Sequence, residues 1–159
     1  MKISLYLVIG AFFCLNLSAL ELHCKFEEVY QDNQQQNGLI LIKNDHLRYQ
    51  YYDSKLYTII KNKYGSFLIP NYQKEKFQKI NNNKIIDSLI KIYDDYPYIK
   101  NKYMINGMTL KIDKSLDTYF LKRIAIISED RNLSIYFFDC EKININKKFF
   151  QVSPLFDFK

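Results

Sequence analysis

Residues 38–51 read Gly38-Leu39-Ile40-Leu41-Ile42-Lys43-Asn44-Asp45-His46-Leu47-Arg48-Tyr49-Gln50-Tyr51. Two apolar or alternating runs flank Asn44-Asp45, a pair that favours a turn because its short side chains hydrogen-bond locally and tolerate left-handed backbone. The stretch therefore predicts two strands, Gly38 to Lys43 and Leu47 to Tyr52, joined tightly. Counted along one ladder without a bulge, Leu39, Leu41, Leu47, Tyr49 and Tyr51 share a face, and Arg48 and Gln50 share the other. The odd-numbered face is expected to be the inner one, with Phe67 and Ile69 continuing it.

The same texture extends outward. Segments at Leu22 to Tyr30, Lys55 to Lys61, Ser66 to Ile69, Gln73 to Ile80, Tyr103 to Ile112, Tyr119 to Ser128, Leu133 to Phe138 and Glu141 to Phe150 read as further strands. Turn residues divide them, as at Asp53-Ser54, Asn62 through Gly65 and Asn106-Gly107. A spacing of about 8 to 12 residues predicts a meandering antiparallel sheet or barrel. One segment departs from the period of two: Ile85, Ile86, Leu89, Ile90 and Tyr93 recur at helical spacing, predicting a short helix from about Lys84 to Asp94. A lone helix in such a meander must bury its apolar stripe on the sheet.

The start of the chain looks like a secretory signal: Lys2, an apolar run from Leu5 to Leu15, then small residues at Ser18-Ala19. The expected organisation is a signal peptide over 1–19 and one β domain over 20–159. Cys14 and Cys24 follow bulky residues, so neither reads as an acylation site, and an exported soluble monomer is expected. The formal charge of +6 falls to +5 without Lys2. Lysines and tyrosines interleave, as in Lys61-Asn62-Lys63-Tyr64, but no Lys/Arg run exceeds two residues. A chain rich in Lys, Asn, Ile and Tyr supplies that texture without a nucleic-acid partner. Cys24 and Cys140 remain after cleavage; in an oxidising compartment they permit one disulfide, or they pack as neighbours.

Covalent chemistry has little to work with. Catalysis through a Ser or Cys nucleophile needs a base beside it, and the two histidines are His23, near the expected mature N-terminus, and His46, in a turn beside Asp45. His23, Cys24 and Cys140 lack metal-site spacing. Three glycines after the signal make no phosphate-cradling loop. The expectation is a non-enzyme without cofactor or metal. Its unusual feature is apolar surface: Leu39-Ile40-Leu41-Ile42, Phe67-Leu68-Ile69, Ile124 to Ile127 and Tyr136-Phe137-Phe138 are apolar on both faces. Antiparallel strands with one wet face alternate instead. A second layer or a lipid must cover the other face.

From Cys24 onward the layout resembles the LolA-type outer-membrane lipoprotein carriers. Cys24-Lys25-Phe26-Glu27-Glu28 is similar to that family's first strand. Gly38 through Tyr51 resembles its most recognisable segment, with Lys43-Asn44 or Asn44-Asp45 in place of an Arg-Pro. Thr58 to Asn62 with Gly65 to Ile69 resembles the next hairpin, Ile85 to Leu89 the lid helix, and Asn144 to Pro154 the terminal strand. The resemblance implies a mainly β fold with one or two helices: a curved antiparallel half-barrel capped by a short helix. It implies a periplasmic carrier that holds lipoprotein acyl chains in an apolar concavity and delivers them to the outer membrane. An inner-membrane release transporter and an outer-membrane acceptor would be its partners. Leu39, Leu41, Leu47, Tyr49, Tyr51, Phe67 and Ile69 would line the cavity and Ile85, Ile86, Leu89, Ile90 and Tyr93 the lid, with Lys43 and Arg48 as candidate lid contacts. The alternative is a secreted adaptor that binds a protein or polyanion through its Tyr/Lys surface.

Overall fold

The computed structural model describes residues 21–81, 83–115, 120–129 and 132–152; the expected signal peptide lies outside them. In chain order come β1 (Glu21–Tyr30), β2 (Gln35–Lys43), β3 (His46–Tyr51), β4 (Tyr57–Asn62), β5 (Gly65–Pro70), β6 (Gln78–Ile80), α1 (Lys84–Asp94), β7 (Lys102–Ile105), β8 (Met108–Lys114), β9 (Leu121–Ile127), β10 (Asn132–Lys142) and a 3-10 turn, Lys147–Phe150. The strands form one antiparallel sheet in the order β6-β5-β4-β3-β2-β1-β10-β9-β8-β7. Sequential hairpins build each half, and β1 joins the halves by pairing with β10. β6 and β7, at the two edges, pair on one side only and not with each other, so the sheet is a curved half-barrel and not a closed one. From β6 to β7 the chain runs through α1, which packs on the inner face against β3 and is tied to β4 by Lys61.

Local sequence explains the helix. Asn83 caps it, its side chain accepting from the Ile86 amide at 3.1 Å. Ile86, Leu89, Ile90, Ile92 and Tyr93 are buried, and Ile85 packs partly against the same cluster. Lys61 Nζ on β4 reaches Asp87 Oδ1 at 2.6 Å, fastening the first turn to the sheet. Inner row and helix share one core, which runs from Leu22, Cys24 and Phe26 on β1 to Leu110, Ile112, Ile124 and Ile135 in the second half.

Three strand expectations are corrected. The segment 73–80 is strand only over Gln78–Ile80, because Gln73 and Lys76 donate to Pro70 and Gln73 in successive turns. The segment 103–112 is two strands, since Asn106 and Gly107 both take positive φ, 53° and 78°, and turn the chain as a two-residue hairpin. The segment 141–150 is strand only at Glu141 and Lys142, the end of β10, after which the chain leaves the sheet and crosses its outer face.

That crossing strap, 143–152, is the second layer over the outer faces of β2, β4 and β5; it does not cover Ile127 and Phe138, which stay exposed. Ile145, Phe150 and Val152 pack against Leu41, Ile60, Phe67 and Ile69, forming a smaller core on the side opposite the helix. Strand side chains hold the strap by its backbone. Lys43 Nζ donates to the Ile145 carbonyl at 2.7 Å, Arg48 Nη1 to that of Phe149 at 3.0 Å and Asn62 Nδ2 to that of Phe150 at 3.1 Å. The Ile145 amide donates to Glu21 Oε2 at 2.6 Å.

Candidate functional site: the inner face beneath the helix

The helix-covered face is built from alternate residues of every strand. Ile42 pairs with Leu47, Ile40 with Tyr49 and Gly38 with Tyr51, so β2 contributes its even-numbered residues and β3 its odd-numbered ones. Ile59 continues the row opposite Tyr49. Of the residues expected to line the cavity, Leu47, Tyr49 and Tyr51 share this face with the helix. Leu39, Leu41, Phe67 and Ile69 do not: they lie on the outer face, under or beside the strap. The reason is the two-residue Asn44-Asp45 loop, with Asn44 at φ 54°. It pairs Lys43 with His46, so each partner pair joins an odd residue to an even one and parity switches across the turn. Ile40, Ile42 and Ile59 take the vacated places.

Lys43 and Arg48 are corrected too. Both point outward. Lys43 pairs with Glu21 Oε1 at 2.8 Å, and Arg48 Nε donates to Gln50 Oε1 at 2.9 Å, so neither touches the helix. The cation that does is Lys61.

Cys24 and Cys140 are bonded. A bulge in β10 makes this possible. Between the pairs Lys25↔Phe138 and His23↔Glu141, β10 carries one residue more than β1, and Asp139 stands at φ 50°. The inner row of β10 thus steps from Leu133, Ile135 and Phe137 to Cys140, opposite Cys24. Lys25 Nζ pairs with the displaced Asp139 Oδ2 at 2.8 Å.

Within this apolar face stands one carboxylate. Glu28, 1 % exposed, follows Leu22, Cys24 and Phe26 on the inner row of β1. Tyr49 Oη donates to its Oε1 at 2.7 Å, and Tyr51 Oη to its Oε2 at 3.0 Å. Tyr30 Oη donates to Oε2 as well. Phe26 stacks on Tyr49 with centroids 4.0 Å apart and meets Tyr51 edge-on, as does Tyr57. Burial first, and then the carboxylate, push the phenols of Tyr49 and Tyr51 well above the ordinary tyrosine range; Tyr30 shifts the same way, from burial and its bond to Glu28. Sequence reasoning did not single out Glu28. The signal was present in the alternation Leu22, Cys24, Phe26, Glu28, which puts an acid on a buried row.

At the C-terminal end of the helix, Tyr103 Oη donates to Asp95 Oδ2 at 2.8 Å and accepts from the Lys100 amide at 3.0 Å. A separate shallow groove of about 330 Å³ lies over the small side chains of Ala125 and Ser134; none of the residues expected to line a cavity borders it. Among the described residues no three His, Cys, Asp or Glu side chains gather to hold a metal ion, and no helix is long and apolar enough to cross a membrane. No protein-family model and no curated protein matches the chain.

Proposed function

We propose that the chain is an exported periplasmic carrier. It shelters lipoprotein acyl chains between the inner face of the half-barrel and α1, and delivers them to the outer membrane. A release transporter in the inner membrane would load it and an outer-membrane acceptor would unload it. The observation that supports this reading is the unclosed sheet: β6 and β7 stand at its two edges, and a single 11-residue helix packs on its apolar inner face.

Magnitudes favour exchange. Lifting α1 would expose five large apolar side chains, at about 1.5–3 kcal/mol each, or roughly 7–15 kcal/mol in all. Burying an acyl chain of about 14 methylenes returns about 11 kcal/mol at about 0.8 kcal/mol each. Helix and lipid are therefore near-equal competitors for one face, which suits a protein that must both take up and release its cargo. The face needs no nucleophile and no cofactor for this task.

The reading is tested by extracting the protein after natively exported purification and identifying bound lipid by mass spectrometry. About one equivalent of acylated lipid or lipoprotein is expected. Lipid-free protein that instead binds polyanions with a steep salt dependence would replace the carrier with the adaptor reading.

A further inference from the structure

Glu28 is costly where it stands. A carboxylate removed from water needs a charge partner or a full set of donors, yet among the described residues no Lys, Arg or His forms an ion pair with it. Three phenols supply donors, two to Oε2 and one to Oε1. A carboxylate offers about four lone-pair directions, which leaves one on Oε1. The phenols that hold it belong to an aromatic cluster in which Phe26 stacks on Tyr49 and Tyr51 meets Phe26, Tyr49 and Tyr57 edge-on. Acid plus aromatic rings is the chemistry that holds an ammonium group, by charge, by hydrogen bond and by the negative face of the rings. Tyr30, the last residue of β1, is partly exposed and opens the cluster toward solvent.

Resting on the carrier reading, we infer that Glu28, with Tyr30, Tyr49 and Tyr51, is a binding site for the primary ammonium end of an amphiphile whose chain lies under α1. The remaining lone pair on Oε1 takes an N–H, which a primary amine offers and a carboxylate or phosphate does not. Tyr49 and Tyr51 keep the carboxylate positioned when the site is empty, and Tyr30 moves aside for the incoming group.

Calorimetric titration of the mature protein at pH 7, below micelle formation, tests this with two probes of equal chain length, dodecylamine and laurate. The chain is basic, +6 over its length, so long-range attraction favours laurate. A preference for the amine must come from a local site. The amine is expected to bind roughly tenfold tighter, as a charge-assisted bond in a buried site allows, and Glu28→Gln should bring the ratio to about one. Ethylamine separates the sources: weak binding assigns the site to amphiphiles, and affinity equal to that of dodecylamine assigns it to free amines. Laurate binding as tightly as the amine would overturn the inference and leave the carrier intact, whereas binding of neither would overturn both. Should Glu28→Gln not fold, the wild-type ratio decides alone.

Discussion

A methyl group at Gly38 would sit 2.1 Å from the Gln50 carbonyl oxygen and 2.4 Å from the Phe26 ring. Glycine is there so that Phe26 can lie across β2 and stack on Tyr49, one of the phenols that hold Glu28. Gly38→Ala is therefore expected to cost about 1–3 kcal/mol, the usual range for forced overpacking, and thermal unfolding should show a Tm lower by several degrees; an unchanged Tm would mean that Phe26 does not need that space. The phenols themselves predict a pH response. Tyr49 and Tyr51 are raised by burial and by Glu28, so they are neutral in the folded chain where an unfolded chain would ionise. Their contribution is fully present below the unfolded value near 10 and is lost as pH climbs toward the folded values. Tyr93, pushed up by burial to about 12, adds to the same trend. Ultraviolet titration should show Tyr49 and Tyr51 ionising only together with unfolding, above pH 10. A single smooth titration near pH 10 would contradict the buried cluster.

At the scale of elements, the strap explains why strands β2, β4 and β5 are apolar on both faces. Phe150 is 2 % exposed and its neighbours Leu41, Ile60 and Phe67 belong to the outer face, so Phe150→Ala should cost about 3–5 kcal/mol in chemical denaturation. A loss below about 1 kcal/mol would show that the strap is not part of the folded unit. Much of this was legible in the sequence. The alternation Leu22 to Tyr30 reads directly as β1, and the spacing of Ile86, Leu89, Ile90 and Tyr93 marks the helix and its buried stripe. What escaped was parity. A two-residue loop couples odd to even positions, and counting straight through Asn44-Asp45 assigned Leu39 and Leu41 to the wrong side. The same hairpin logic moved Phe67, which pairs with Ile60, away from Tyr49. The strap was hidden for another reason. Asn144 to Phe150 carries a strand-like texture, and nothing local says that its backbone will be bound by Lys43, Arg48 and Asn62 from the far half of the sheet. Likewise, the Cys24–Cys140 bond needed the Asp139 bulge, whose left-handed backbone the dipeptide Asp139-Cys140 does not announce.

For the whole molecule, the chain order decides where a ligand could enter. Both ends of the meander meet at β1 and β10, bonded across by Cys24 and Cys140, while the opposite edges β6 and β7 are bridged only by the segment that contains α1. The Lys61–Asp87 contact, with side chains about one-third exposed, is the polar tie on that bridge and is worth at most about 1 kcal/mol. Asp87→Ala should thus loosen α1 without unfolding the sheet, and if the proposed carrier's helix competes with cargo, loosening it should tighten lipid binding by up to about fivefold. A fluorescence titration with cis-parinaric acid, run in parallel on the mature wild-type protein and Asp87→Ala, tests for an acyl-chain site beneath the helix. The account predicts saturable binding of about one probe per chain, with the variant binding more tightly; absence of saturable binding by both folded proteins would contradict an acyl-chain site beneath the helix.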